Sequence, residues 1–497
     1  MVYDIRTEPW IPVQVIATGD VREVGLRELL SQAQDYRQIS GENAMETYSM
    51  YRFLSIFLLR ICQPKDWESK FELLDEGRFA MEQVEDYFRQ CELQGISFDL
   101  FDTKRPFLQA VPDGKLDTEK TLKSIASLDG TRASGNNPIH FDHTLECDAE
   151  MTPAQAMRGL LSSQIFATAM SGGYPSNVYG APPMFFLPEG RNLFETLVLS
   201  IPLVNRENFG QPVWESNKPI IPREEVPATN QLYGLLFPAR RIRLVPPTDG
   251  VVKTMFYQPG LHFIGFSSWK DPHVARRPNK DGDFVSIKPS IDREPWRNMG
   301  TLTQYYHDGA PEVLRDFAHI LQEDGRNDMP VMMFGLATSN ASLLGIQQGK
   351  IYLDNRIMAD NIKMDALIKA LELSERFAMV LRNSKTGIIS IIAPEATGRG
   401  QHEAEVYLHR YFAYCERELH GYIERLAEIS ATEEYHELRQ LWKNRLITGI
   451  RELVQEAERI YCFRGADMIR AYKQEQFLFA TLKKAVKEVE NGAESKG

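Results

Sequence analysis

The chain has 497 residues, of which 43% are hydrophobic and 25% are charged, and it carries a formal net charge of −11. This composition is typical of a folded globular protein of roughly two to four domains, and it excludes a disordered or fibrous chain. The negative charge excludes nonspecific coating of nucleic acid, because a surface of that sign repels a polyanion. Any contact with DNA must therefore be confined to a small site.

The chain contains five cysteines: Cys62, Cys91, Cys147, Cys415 and Cys462. None has CxxC spacing, which disfavours a zinc ribbon and a disulfide framework and favours reduced thiols. The first residues carry charges where a signal peptide needs an apolar stretch. The most apolar run, residues 53–59, is much shorter than the ~20 residues that span a bilayer. We therefore expect a cytoplasmic protein that makes no membrane contact.

The N-terminal part of the chain predicts strands and helices in alternation. Residues 10–13 predict a short strand, residues 24–30 a first helix, and residues 42–62 a long helix that ends before Pro64. Between residues 98 and 354, Pro and Gly are frequent and apolar runs are short, which is typical of strands joined by long loops. We predict a mixed α/β domain over residues 1–357.

The C-terminal part has little Pro and four amphipathic helical patterns. The fourth pattern places Ile469, Tyr472, Phe479, Leu482 and Val486 on one face. Amphipathic helices with short connections favour an antiparallel bundle, and the longer link at residues 394–400 has the length of a working loop. The predicted fold is α+β, with a four-helix bundle over residues 358–497.

Catalytic motifs are weak or absent in this sequence. His140, Asp142 and His143 could clasp a metal, but no further Cys or His pair nearby completes a shell. The HExxH pattern fails after His402-Glu403 because Val406 stands where the second histidine belongs. No nucleotide-binding or nucleophile-elbow motif is present. We predict a binding protein that is not an enzyme and has no metal or cofactor.

The segment Ser171-Gly172-Gly173-Tyr174 stands between two apolar runs. Glycine has no Cβ, so such a loop lets the backbone press against a partner where any side chain would collide. The same dipeptide can also be a plain turn.

Several short motifs occur in the same order and spacing as in one family. They are Trp-Ile-Pro-Val at 10–13, the stretch 98–109, Asn137 with 141–143, the glycines 172 and 173, and the stretch 227–236. With the helical C-terminal end, they resemble the CasA family, the large subunits of Cascade, the type I-E CRISPR surveillance complex. The resemblance covers nearly the whole chain.

The resemblance implies a non-catalytic subunit of an RNA-guided defence complex. Such a subunit recognises the protospacer-adjacent motif in double-stranded DNA, helps to start strand separation and recruits a helicase-nuclease. Its expected partners are the guide RNA, the backbone subunits of Cascade, the target DNA and that nuclease.

The resemblance also assigns DNA-binding residues. Ser171, Gly172, Gly173 and Tyr174 match the family's glycine loop, which enters the minor groove beside the motif. The groove is only ~6 Å wide, so backbone fits there and bulk does not.

A second DNA contact is expected at Ser339, Asn340 and Ala341, which match a hairpin that wedges under the first target base pair. The family's wedge residue is glutamine, so the shorter Asn340 predicts either shallower insertion or a hairpin that holds the strand without splitting it. An ordinary polar hairpin tip is the alternative.

A third set, Asn137, His140, Phe141 and His143, matches a loop that touches the 5′ end of the guide RNA and a neighbouring subunit. Phe141 could stack on an unpaired base or serve as a buried anchor.

The sequence departs from the family in a second place. Residues 257–261 contain no lysine where some members have a lysine finger, and Lys253 and Lys270 are the nearby candidates to replace it. Two other functions stay open: an enzyme centred on His140, Asp142 and His143, and a purely structural helical scaffold. A bulky residue at Gly172 would separate them, since only the DNA-reading subunit would lose target capture.

Overall fold

The computed structural model describes residues 2–130, 149–280, 282–290, 293–304, 309–339, 342–392 and 398–491. The chain forms two compact units, Met1–Arg293 with His307–Tyr352 and Glu294–Tyr306 with Leu353–Gly497. The first unit is mixed α/β and the second is helical, which confirms the predicted α+β class. The short segment 294–306 packs with the C-terminal unit, and nothing in its sequence pattern indicates this. The boundary between 357 and 358 stays a prediction.

The described strands, in chain order, are β1 Ile11–Val15, β2 Val21–Val24, β3 Tyr36–Ile39, β4 Leu122–Ser124, β5 Phe185–Pro188, β6 Glu225–Val226, β7 Arg240–Leu244, β8 Thr254–Pro259, β9 His262–Phe263, β10 Arg276–Pro278, β11 Phe284–Ser286, β12 Asp328–Ser339 and β13 Ser342–Asp354. The described α-helices are α1 Leu26–Ser31, α2 Ala44–Cys62, α3 Trp67–Asp75, α4 Met81–Leu93, α5 Pro153–Ile165, α6 Leu193–Ser200, α7 Gln231–Leu235, α8 Met299–Gln304, α9 Glu312–Glu323, α10 Asn355–Met358, α11 Asn361–Arg382, α12 Ile388–Ile392, α13 Gly398–Glu428, α14 Thr432–Tyr461 and α15 Gly465–Asn491.

Helix α2 lies at the centre of the first unit and confirms the predicted long helix. Its N-cap is Asn43, whose side chain accepts a hydrogen bond from the Glu46 amide, and its C-cap is Gln63, which has the left-handed conformation. Most of its side chains are buried, because α5, α6 and β12 pack around it. A helix that is apolar on every side is stable only inside such a shell.

Three elements of the first unit position the candidate site. Helix α5 begins with a capping box, in which the Thr152 and Gln155 side chains each bond the other's backbone, and its C-cap Phe166 lies shortly before the glycine loop. Strand β7 lies along the edge of the sheet β4-β8-β7 and pairs antiparallel with β8, with Ile242 opposite Tyr257. Strand β12 lies between β13 and β5 in a second sheet.

The described residues of the second unit form four long helices, α11, α13, α14 and α15. Helix α11 packs against the other three, and α13 packs against α14. Trp442 fixes this packing, because its buried indole donates to the Ala370 carbonyl at 3.0 Å. No helix within the described ranges is long and apolar enough to cross a membrane.

The predicted face of the fourth helix is wrong at its N-terminal end. Ile469 and Tyr472 are each 63% exposed, and Ala471 is buried instead. Further along α15, Leu482 and Val486 are buried as expected. On the first turns of α15, the small side chain of Ala471 is therefore the buried one, and the larger apolar side chains face outward.

A cluster of buried polar side chains ties α2 to the rest of the first unit. Asp271 accepts hydrogen bonds from Arg52 Nη2 at 2.7 Å and from the Tyr179 hydroxyl at 2.6 Å. Burial alone would raise the pKa of Asp271, but the charge of Arg52 and its hydrogen bond lower it. The carboxylate therefore stays ionised inside the core.

His273 belongs to the same cluster and is completely buried. Its Nε2 lies 2.8 Å from the Ser200 carbonyl, which can only accept, so Nε2 carries the proton and Nδ1 accepts from the Tyr48 hydroxyl at 3.2 Å. Burial and the charge of Arg52 lower the pKa of His273 from 6.5 to about 3.

The pKa shift of His273 predicts a loss of stability in mild acid. Below about pH 6.5, His273 binds a proton in the unfolded chain but not in the folded chain. The folded state therefore becomes less stable relative to the unfolded state as the pH falls. The free energy of unfolding should drop by roughly 1.4 kcal/mol per pH unit between about pH 6 and pH 4. Urea unfolding followed by tryptophan fluorescence measures this.

His273→Gln is the matched variant, because its amide can still donate to the Ser200 carbonyl but does not titrate. The difference between the two proteins isolates His273 from the other titrating groups. Parallel pH curves for the variant and the natural protein would show that His273 is not the source of the loss.

Candidate nucleic-acid interface

The glycine loop is an exposed hairpin tip. The Met170 amide donates to the Tyr174 carbonyl at 3.1 Å and closes the hairpin, so that Ser171, Gly172 and Gly173 project as its end. All three tip residues are exposed. The tip therefore offers backbone and one small hydroxyl to any partner.

Both glycines of the tip have left-handed backbones, with φ +80° at Gly172 and +76° at Gly173. Residues with a side chain rarely adopt positive φ angles, so the turn itself requires glycine at these positions. A Cβ at Gly173 would also lie 2.8 Å from Arg223 Nε, whereas a Cβ at Gly172 would meet only the Tyr174 ring at 3.7 Å. Space beside Gly172 is free on the exposed side.

Arg240, at the start of β7, holds the base of the tip. Its guanidinium donates to the Thr168 carbonyl at 2.6 Å and to the Pro175 carbonyl at 2.5 Å, which lie just before and just after the hairpin. Arg240 is 2% exposed, and no carboxylate of the described residues forms an ion pair with it. Carbonyl oxygens and the Tyr257 hydroxyl at 3.0 Å satisfy its donors instead.

Tyr174 connects the tip to the sheet. Its ring stacks on Tyr257 of β8, with centroids 5.6 Å apart, and lies under the Arg240 guanidinium at 5.4 Å. Burial raises the pKa of Tyr174 above its ordinary value, so the phenol stays neutral at physiological pH. Tyr174 supports the tip from below.

Asn177 fixes the chain that leaves the tip. It is buried, and its side-chain amide donates to the Gln164 and Ile165 carbonyls at the end of α5. The Gln164 side chain in turn bonds both the amide and the carbonyl of Arg240. Helix, tip and strand are therefore joined by one hydrogen-bond network at the base of the hairpin.

Arg223 reaches the tip from a different loop. Its Nη2 donates to the Gly172 carbonyl at 2.5 Å and its Nε to the Gly173 carbonyl at 3.4 Å. Sequence reasoning did not identify Arg223 or Arg240, because their partners are distant in the chain. Arg223 is 51 residues away from Gly172, and Arg240 is 72 residues away from Thr168. The only local signal was the turn-forming pair Pro222-Arg223.

The other predicted residues are only partly described. Ser339 is the last residue of β12, whereas Asn340 and Ala341 lie outside the described residues. The predicted guide-RNA contacts also lie outside them: Asn137, His140, Phe141 and His143. In the ranges that the structure covers, no three His, Cys, Asp or Glu side chains are arranged to hold a metal ion.

The two lysines considered as replacements for the missing finger differ in their surroundings. Lys253 pairs with Glu150 at 2.7 Å, and both side chains are about half exposed. Lys270 is exposed and lines a groove with Trp269 and His319. Arg223 is the cation that the structure places against the glycine tip itself.

This geometry can insert backbone into a narrow space. The tip is exposed, nearly free of side chains and rigid at its base, and it lies beside a guanidinium. Such a probe fits a groove whose walls would exclude larger side chains, which on DNA is the minor groove.

Comparisons with known proteins give consistent matches. The family model of the CRISPR-associated protein Cse1 matches residues 4–453. A curated CRISPR-associated protein CasA/Cse1 from Thermus thermophilus is 28% identical over 417 residues, which is 79% of each chain. The crystal structure of T. thermophilus CasA is similar with a TM-score of 0.80 and 23% identity, over 97% of this chain and 100% of that one. A chain of a CRISPR RNA-guided surveillance complex is similar with a TM-score of 0.74 and 19% identity, over 96% of this chain and 99% of that one.

Replacing Arg240 with methionine should free the tip from its base. The Thr168 and Pro175 carbonyls would lose their donor, and we expect the free energy of unfolding to fall by about 3 kcal/mol. The amides of Met170 and Asn177, which are hydrogen-bonded across the base of the tip, should exchange with deuterium much faster. Urea unfolding and hydrogen exchange measure the two effects.

Arg243→Met on the same strand is the matched control. Arg243 is 21% exposed and shares Asp117 with Arg241, so its loss should weaken the fold without opening the tip. Unchanged exchange at Met170 in Arg240→Met would contradict the role of Arg240 as the clamp.

Proposed function

The chain belongs to the CRISPR-associated Cse1 family, and from this membership and the geometry of the tip we propose that it reads the protospacer-adjacent motif in duplex DNA. It is the large subunit of a CRISPR surveillance complex. In this proposal the subunit is not catalytic: it inspects the duplex, helps to start strand separation and recruits a helicase-nuclease. An activity on duplex DNA fits the cytoplasmic location expected from the sequence.

One observation carries the proposal: the residues at the end of the hairpin have almost no side chains, while its base is firmly held. Gly172 and Gly173 are exposed in left-handed conformations, and Arg240 bonds the chain on both sides of them. A minor groove ~6 Å wide accepts such a backbone and excludes bulk. Because the tip is ordered before binding, little conformational entropy is lost on insertion.

The same geometry predicts a tolerant reader. In the minor groove, A·T and T·A pairs show the same acceptors, so a backbone probe distinguishes mainly A·T from G·C. Several related motifs should therefore be accepted. The net charge of −11 fits this mode, because it limits binding to random duplex and leaves the choice of target to the guide.

Strand separation is assigned to the segment between β12 and β13. The two strands have 12 and 13 residues and are neighbours in one sheet, which supplies a stiff support for a short connection. We propose that Asn340 contacts the first target base pair, with Ser339 and Ala341 beside it.

We propose the guide RNA and a backbone subunit as partners of Asn137, His140, Phe141 and His143.

Replacing Gly172 with leucine tests the reading of the groove. The fold has room for a Cβ there, but the side chain would project from the tip and collide with the groove walls. Target duplex affinity of the assembled complex should fall on the order of 100-fold, equivalent to about 2.7 kcal/mol. Guide RNA and partner subunits should still copurify with the variant.

Gly19→Leu is the matched control for backbone strain. Gly19 is exposed and has φ +76°, and a Cβ added there would have no atom within 4 Å, so the strain of roughly 1–2 kcal/mol is the same as at Gly172. It should bind DNA normally. If Gly172→Leu also captured target normally, the proposed function would be wrong.

Replacing Asn340 with alanine tests the start of strand separation. A wedge must recover the few kcal/mol that unstacking one step costs, so we expect the alanine variant to bind the duplex but open the first base pair about tenfold more slowly. Fluorescence of 2-aminopurine at that position measures the rate. Asn340→Gln, which lengthens the amide, should open it at least as fast as the natural protein.

Gln94→Ala, which removes an exposed amide at the end of α4, is the control and should have no effect. Opening at the natural rate in Asn340→Ala would mean that residues 339–341 form an ordinary polar tip.

A further inference from the structure

Arg223 occupies a turn position that normally needs glycine. The Glu224 amide donates to the Ile221 carbonyl at 3.2 Å, which closes a turn with Pro222 and Arg223 at its centre. Arg223 has φ +66°. A turn with proline followed by a left-handed residue usually has glycine or asparagine at the second place.

The turn is firmly held in spite of this strain. The Arg223 amide donates to the Gly260 carbonyl at 2.8 Å, and β6 pairs with β9 immediately after the turn. A non-glycine residue in this conformation costs roughly 1–2 kcal/mol. Strained residues of this kind persist where the surrounding structure enforces them and cluster at functional sites.

The strained turn directs the guanidinium to the glycine tip. Nη2 and Nε face the Gly172 and Gly173 carbonyls, while Nη1 has no hydrogen-bond partner among the described residues. The side chain is exposed, so Nη1 is accessible to a ligand that approaches the tip.

The positive charge of Arg223 is not neutralised by a carboxylate. Within the described ranges, no Asp or Glu oxygen lies within 4 Å of its guanidinium, although Glu224 and Glu225 are its neighbours in sequence. The chain has a net charge of −11, so this exposed cation beside a neutral tip is a local site for a negatively charged ligand on an otherwise acidic protein. The narrow minor groove concentrates negative potential and attracts arginine.

We propose that Arg223 is the cationic half of the DNA-reading site, contacting the target duplex through its free Nη1 while Nη2 and Nε hold the glycine tip. This inference rests on the proposed function and adds a residue to it. The ligand is the duplex backbone at the edge of the minor groove, where a phosphate or a groove-edge acceptor meets the guanidinium.

Two substitutions separate charge from positioning. Arg223→Gln removes the charge and keeps an amide donor, whereas Arg223→Lys keeps the charge and loses the planar fork. Each variant is assembled with guide RNA and the partner subunits, and its affinity for a matched target duplex is measured between about 50 and about 200 mM salt. Hydrogen exchange of the Met170 amide reports whether the tip stays closed.

We expect Arg223→Gln to bind target roughly tenfold more weakly, with a slope of log affinity against log salt that is smaller by about 0.9. Arg223→Lys should retain the salt slope. Arg89→Gln is the control and should bind normally, because Arg89 is 68% exposed on α4 and, among the described residues, pairs only with Asp86 of its own helix.

Equal losses in the glutamine and lysine variants with an unchanged salt slope would overturn the proposal, since Arg223 would then only position the tip. Natural affinity in Arg223→Gln would overturn it as well. In either case, Gly172→Leu separates the proposed function from the role of Arg223. If the Gly172→Leu complex fails to capture target, the proposed function stands and only the DNA contact of Arg223 is wrong. If that complex captures target, the proposed function and the role of Arg223 are both wrong.

Discussion

The candidate site depends on the buried guanidinium of Arg240. Arg240 is 2% exposed and has no ion-pair partner in the part of the chain that the structure describes, so it is stable only if nearly all of its donors are satisfied. The carbonyls that satisfy it belong to Thr168 and Pro175, on either side of the hairpin. The need to solvate one buried charge therefore fixes the path of the chain at the base of the tip, and the tip projects as a consequence.

Charge is distributed in a way that suits a selective reader. The chain as a whole is acidic, and the tip itself is neutral backbone. In contrast to Lys253, which pairs with Glu150, Arg223 has only carbonyl partners in the described residues. A single cation adds one contact without creating the broad positive field that retains proteins on random DNA. Guide pairing can then dominate the choice of target.

Much of the fold could be predicted from local pattern. The apolar run of α2 and the helical periodicity of the C-terminal unit were sufficient to predict these helices, because a long buried helix face requires apolar residues at regular intervals in the sequence. The face at the start of α15 could not be predicted, since the small Ala471 is buried there while Ile469 and Tyr472 are exposed. Within the site, the glycine tip could be predicted, because a glycine pair in the sequence indicates a backbone conformation that other residues rarely adopt. Arg240 and Arg223 were not, because their partners are distant in the chain.

That distance has a consequence for how the site forms. Arg223 bonds the tip, and Arg240 bonds the chain on either side of it, across about 50 to 70 residues of sequence. These supporting contacts therefore form only when the first unit folds. The two left-handed segments, the glycine tip and the Pro222-Arg223 turn, then support each other, because the guanidinium bonds the carbonyls that the tip exposes. A short peptide with the sequence of the tip would lack this support and would lose conformational entropy on binding. The fold is therefore what makes a few atoms of backbone into a rigid probe.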